Sequence, residues 1–182
     1  MEAVDLVRIG DKLVSVERVV RTVEDIFRLR QAGLSQAEVG ERLGLDRTVV
    51  SRLESVGEIG KGHAIAVIGF PVANRDEVRA LCRDRGVEFV WVMSDLERRE
   101  FAENRSGAAL IDEVLQMAGR VRQFDAVILM ASDRRLRLME ALLDPRRVLP
   151  IVLGQTPLLR DVPVDLEALD TAIRALTPAG DF

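Results

Sequence analysis

Six side chains between residues 36 and 52 form a short list of hydrogen-bonding groups: Gln36, Arg42, Arg47, Thr48, Ser51 and Arg52. A guanidinium can bond guanine O6 and N7 with two parallel donors, and it pairs equally well with a phosphate. Hydroxyl and amide groups add shorter-range contacts to base edges and backbone oxygens. Arg47, Thr48, Ser51 and Arg52 fall on the face of a short helix opposite Val49, Val50 and Leu53. Lys61, a little further on, is one of only two lysines. The chemistry available here is recognition of base edges and phosphates, not bond breaking.

Those side chains need a rigid support, and residues 34–54 encode one. Ser35 and Glu38 are spaced as a capping box, which satisfies two orphan amides at a helix start. Val39 and Leu43 then share one helical face. Gly44 follows, a residue that ends a helix cheaply because it tolerates a positive φ. Leu45 fills the corner, Asp46 caps a second helix, and Val49, Val50 and Leu53 give that helix an apolar side. Upstream, residues 5–14 read as a small hairpin turning at Gly10-Asp11. Ser15 caps a helix over residues 16–31, whose apolar stripe is Val16, Val19, Val20, Val23, Ile26 and Phe27. One helix laid across the other two makes a three-helix unit.

Gln36, Val39, Leu43, Gly44, Leu45, Val50, Ser51, Arg52 and Glu54 together make the segment resemble the helix-turn-helix of phage-repressor-type transcriptional regulators. The resemblance is confined to residues 36–54. The alanine usual where the two helices cross is Gly40 here, which keeps the close approach at a cost in helix propensity of about 1 kcal/mol. The resemblance implies a second helix that enters the major groove of double-stranded DNA N-terminus first. Arg47 and Thr48 would then meet bases, with Ser51 and Arg52 next and Gln36 on a phosphate or outer base. Arg42 and Lys61 would sit on phosphates.

The composition bounds these expectations. The chain has 182 residues, 48% hydrophobic and 31% charged, with a formal net charge of -4. Between residues 16 and 54, seven arginines face seven carboxylates, so DNA contact must come from a local face and not from bulk charge. Asp46, beside the reading face, would repel phosphate. No apolar run is long enough for a bilayer span, and the N-terminus lacks a secretory layout, so a cytoplasmic location is expected. Cys82 is the single cysteine, which excludes an internal disulfide and a multi-cysteine metal site.

After the glycine-rich stretch at residues 57–62 the rhythm changes. Residues 64–70, 87–94, 125–132 and 147–154 read as strands, the first a continuous apolar run of the kind buried on both faces. Helices are expected near 74–85, 106–124, 133–143 and after Asp165, with Asp133 and Asp165 as caps. Leu110, Val114, Met117 and Val121 form the inner side of the second of these. Pro150 suits an edge strand. The fold class is therefore α/β, with a helical unit over residues 1–58 and a doubly wound, mainly parallel four-stranded domain over residues 62–182. Its expected strand order is 2-1-3-4.

Ligands of such sheets gather at the carboxyl ends of the strands, which here carry Phe70, Ser94, Ser132, Asp133 and Gly154. Helix starts beside Ser94 and Ser132 offer amides to an anion. The first strand–helix turn, IGFPVANRDE, lacks both G-x-G-x-x-G and a Walker lysine loop. No cofactor, metal or catalytic residue is expected: His63 stands apart, Ser132 and Asp133 suit helix caps, and Cys82 and Trp91 suit packing. The expected protein is a sequence-specific DNA-binding regulator that is not an enzyme. It would act as a homodimer on a pseudo-palindromic operator, and its second domain would dimerise or take a small or anionic effector. The alternatives are a protein-interaction adaptor that docks through the helix-turn-helix and a small nucleotide-binding protein.

Overall fold

The computed structural model describes residues 5–60 and 62–177. They form two compact units that divide between Glu58 and Ile59. The first begins with an antiparallel hairpin, β1 (Leu6–Ile9) on β2 (Lys12–Ser15), turning through Gly10 and Asp11. Three helices follow: α1 (Val16–Gln31), α2 (Gln36–Leu43) and α3 (Arg47–Gly57). Ser15 Oγ accepts the Arg18 amide and starts α1. Ser35 Oγ accepts the Glu38 amide at 3.2 Å while Glu38 Oε2 accepts the Ser35 amide at 2.7 Å, so α2 opens on a complete capping box. It closes on Gly44 at φ 66°, left-handed backbone that a side chain would strain.

Ile26, Val39 and Val50 are fully buried where the three helices meet, and Leu29, Leu34, Leu43, Leu45 and Leu53 pack around them. Two expectations for this core need correction. Val49 is 41% exposed, because the tight turn aims Val50 inward and leaves its neighbour on the rim. The α1 stripe is also incomplete: Val19 and Val20 are exposed and Phe27 is partly so. Val19 and Val20 lie in the N-terminal half of α1, outside the core that Ile26 and Leu29 share with α2 and α3, and apolar spacing cannot bury a residue that nothing covers.

The second unit is a four-stranded parallel sheet with helices on both sides. Its elements run β3 (Ile65–Gly69), α4 (Arg75–Asp84), β4 (Phe89–Val92), α5 (Asp95–Glu103), α6 (Gly107–Val121), β5 (Ala126–Ser132), α7 (Asp133–Leu142), β6 (Val148–Gly154) and α8 (Leu166–Leu176). The order across the sheet is β4-β3-β5-β6. The two central strands, β3 and β5, are buried along their whole length. Their side chains alternate between two cores, as a pleat requires. Ile65, Val67, Ile128 and Met130 meet Val78 and Cys82 of α4 and Leu169 and Ile173 of α8. Ala66, Ile68, Val127 and Leu129 face the other way, toward Val121 of α6 and Leu136 of α7. Pro150 lies on β6, an edge strand paired on one side only, which is where a residue without an amide donor is tolerated.

Several loops are tied down by single side chains. Asn74 mimics a strand: its amide nitrogen donates to Val164 O at 2.9 Å and its oxygen accepts the Val164 amide at 2.8 Å. Asp170 of α8 pairs with Arg85 and with Arg174. The glycine-rich stretch is divided between the units: Gly57 ends α3, whereas Gly60 donates to Arg146 O and Gly62 to Leu176 O in the second unit. Two helix expectations are revised. Asp133 is the first residue of α7 and not its cap; Ser132 holds the cap position without a side-chain bond to the helix. On α6, Val121 is buried but Val114 is 46% exposed, because this helix stands away from the sheet over much of its length.

Among the described residues no helix is long and apolar enough to cross a membrane.

Candidate functional site

The exposed side of α2 and α3 is built from the caps outward. Asp46 starts α3 by accepting the Thr48 amide at 2.7 Å and the Thr48 hydroxyl at 2.6 Å on the same oxygen. Those two bonds, the hydroxyl first, hold the Asp46 carboxyl below its ordinary pKa, so it stays charged at neutral pH. Arg42, Arg47 and Arg52 are all exposed. Among the described residues none of the three is in an ion pair, so their guanidinium donors face solvent. Ser51 is half-buried and its carbonyl accepts the Ser55 hydroxyl.

Gln36 is placed differently. Its amide nitrogen donates to Glu54 Oε2 at 2.7 Å, and Glu54 also accepts Arg30 Nε. Arg30 in turn donates to Leu34 O. The Arg30 bond, and then the Gln36 bond, hold the Glu54 carboxyl below its usual value. This cluster clamps the start of α2 to the middle of α3 and to the end of α1. Gln36 therefore works first as a brace, and Thr48 has its one hydroxyl proton committed to Asp46. Of the candidate residues, Arg42, Arg47 and Arg52 keep cations that are uncommitted among the described residues. Lys61 lies outside the described residues.

At the carboxyl end of the sheet, Ser94, Ser132, Asp133 and Gly154 are arranged to satisfy the protein itself. Ser94 is buried, its hydroxyl accepts the Glu97 amide, and its own amide reaches Glu97 Oε2. The next amide, that of Asp95, goes to Asp161 Oδ1 at 2.7 Å. Ser132 Oγ accepts the Thr156 hydroxyl at 2.9 Å, and Asp133 Oδ1 accepts the Thr156 amide at 2.8 Å. Gly154 stands opposite Ser132 in the β5–β6 register. The α5 start is thus filled by the carboxylates of Glu97 and Asp161, and the α7 start has the Asp133 carboxylate as its first residue. An added anion there would meet Glu97, Asp161 or Asp133 at close range.

Phe70 belongs to a different feature. A cavity of about 260 Å³ opens between the sheet and α5, α6 and α7, lined almost wholly by apolar side chains. Trp91, Met117, Val114 and Met139 contribute to it, and Trp91 meets Phe101 of α5 edge-on at 5.6 Å. Arg98 is the charged residue in its wall. The Arg98 Nη2 donates to Asp95 Oδ1 at 2.7 Å, but its Nε is buried and bonds to nothing among the described residues. Arg135, whose guanidinium lies over the Phe70 ring at 5.8 Å, has a buried Nη1 in the same condition. Burial, and then the nearby Arg98 charge, lower the Arg135 pKa, and Asp95 only partly offsets them. Nothing in the local sequence sets these two apart from the chain's many other arginines; only the fold brings them together beside an apolar chamber.

No family model, curated protein or solved structure matches this chain.

Proposed function

We propose that the protein is a sequence-specific DNA-binding regulator whose α3 reads a major groove. The observation that carries this reading is the set of three exposed, unpaired arginines on a capped and braced helix pair. Arg47 stands at the N-terminus of α3 and Arg52 follows on the same helix, while Arg42 lies in the last turn of α2. A helix that presents its N-terminal residues to base edges needs its own start satisfied from within, which Asp46 does. The Gln36–Glu54–Arg30 cluster holds the angle between the helices, and that angle sets the register of contacts along the groove. The chemistry proposed is recognition alone, with no catalytic step.

One reading head touches few base pairs, so specificity calls for a second copy on a pseudo-palindromic site. Exposed Ile111 and Leu115 on α6, 61% and 64% accessible, supply apolar surface for a homodimer through the α/β unit. A monomer in sedimentation at micromolar concentration would overturn that part. The competing reading, a docking module for another protein, draws on the charged Asp46 and on the balance of arginines against carboxylates in the helical unit.

Selection of bound sequences from random DNA, followed by gel shift on the site found, tests the proposal. Arg47→Ala is expected to cost about 1–3 kcal/mol, roughly 5–150-fold, and to relax preference at one position. Arg42→Ala should weaken binding evenly across sequences and reduce the log K against log salt slope by about 1. Selection that yields no common sequence, or wild-type affinity in Arg47→Ala, refutes the assignment.

A further inference from the structure

We propose that the α/β unit binds a small carboxylic acid with an apolar body, the body in the chamber beneath α5, α6 and α7 and the carboxylate on Arg98 and Arg135. The inference is independent of the DNA reading. It starts from a mismatch between the chamber and its rim. The walls are aliphatic, aromatic and methionine side chains, which favour a dry occupant. Yet Arg98 stands in the wall and the Arg135 guanidinium lies over the Phe70 ring of that wall at 5.8 Å, and each has a buried nitrogen without a hydrogen-bond partner among the described residues.

Charge decides the class of head group. Asp95 is shared between Arg98 and Arg99, at 2.7 and 2.6 Å, so it does not neutralise both. Arg135 has no carboxylate partner among the described residues. Glu97 and Asp133 are paired with Arg75 and Arg137, so positive charge remains in excess beside the chamber, although Asp95 stands next to Arg98 and Asp161 accepts the Asp95 amide. A singly charged anion suits that balance, whereas a phosphate dianion would be set against Asp95. A planar carboxylate also matches guanidinium donors in two-point geometry.

Size decides the body. An apolar cavity of roughly 150 Å³ takes one benzene ring. The chamber's 260 Å³ therefore fits a single ring with a short chain, or an acyl chain of similar bulk. Phosphorylated nucleosides and dinucleotides are too large and too polar.

The chamber contains its own reporter, because Trp91 is the chain's single tryptophan and forms part of the wall. The experiment titrates the full chain, with no DNA present, with octanoate and with 3-phenylpropionate, following Trp91 fluorescence and heat. Acetate supplies the charge without the body, and 1-octanol the body without the charge. At least one of the two larger acids should bind tenfold or more tighter than either control. Arg98→Gln and Arg135→Gln should each weaken it by tenfold or more. Ala118→Leu, which fills the chamber from α6, should abolish binding while the far-UV circular dichroism is unchanged. Absence of binding by both acids at millimolar concentration overturns the proposal. So does octanol binding as tightly as octanoate, or undiminished acid binding in Ala118→Leu. Should Ala118→Leu fail to fold, the Arg135→Gln result decides alone, since that guanidinium pairs with no carboxylate among the described residues. Because DNA takes no part, a negative result leaves the operator-binding proposal where it stood.

Discussion

Replacing Gly40 by alanine sets two effects of known sign against each other. In an open helix the exchange is favourable by about 1 kcal/mol, because glycine has more backbone freedom to lose. At Gly40 a Cβ would lie 2.8 Å from the Leu45 carbonyl oxygen and 3.3 Å from the Arg47 amide nitrogen. Ordinary contact begins near 3.4 Å, so the methyl is about 0.6 Å too close to the oxygen. That oxygen cannot swing away easily, because the Leu45 amide is bonded to Gly40 O at 2.8 Å and Leu45 packs in the three-helix core. Relief must move the turn and the start of α3 together. Overpacking of this kind costs about 1–3 kcal/mol, which leaves a net loss of up to about 2 kcal/mol once the helix gain is subtracted. Native-state hydrogen exchange on the full chain reads this locally. Amides of Val39 and Val50 should exchange roughly fivefold faster for each 1 kcal/mol lost. Gly119→Ala is the internal control: it lies in α6 and its Cβ would meet nothing within 4 Å. It should slow exchange in its own helix by the full propensity gain. If Gly40→Ala slows exchange as Gly119→Ala does, the close approach of α2 to the turn is wrong.

Two further outcomes follow from the electrostatics. Asp46→Asn keeps an N-cap of similar quality but removes a carboxylate beside the proposed reading face. Operator affinity should rise several-fold at low salt with little change in thermal midpoint, and an unchanged or reduced affinity would mean that Asp46 does not face phosphate. Cys82 is fully buried and burial pushes its thiol pKa up to about 11. The reactive thiolate is the minority form below that pH, so the native chain should resist a soluble disulfide reagent at pH 8 and react only on unfolding. Rapid native modification would contradict the packing of α4 on the sheet.

Much of the local structure was legible because it is written in short-range chemistry. The Ser35–Glu38 box, the left-handed turn at Gly44, the Asp46 and Asp165 caps and the unbroken apolar run of β3 each depend on residues within a few positions. Pro150 pointed to an edge for the same reason. The errors lie where a second element had to be present. Val19, Val20 and Val114 have the right spacing for burial but no partner covering them. Asp133 looked like a helix cap, yet it serves a threonine 23 residues later in the chain.

The candidate sites divide along the same line. That Arg42, Arg47 and Arg52 sit on a helix pair could be read directly, since helical periodicity alone places them on an exposed side. That Gln36 braces Glu54 could not, because Glu54 has to be brought back across the turn before the bond exists. The chamber under α5, α6 and α7 and its two arginines are wholly a product of tertiary structure. Residues 98 and 135 are distant in the chain, and neither has a local feature to mark it. The sequence by itself determined a helical head followed by an alternating α/β unit, because capping and periodicity act over one or two turns. Which cations remain unpaired, and where apolar surface is left unfilled, was decided only when the sheet and its helices closed around them.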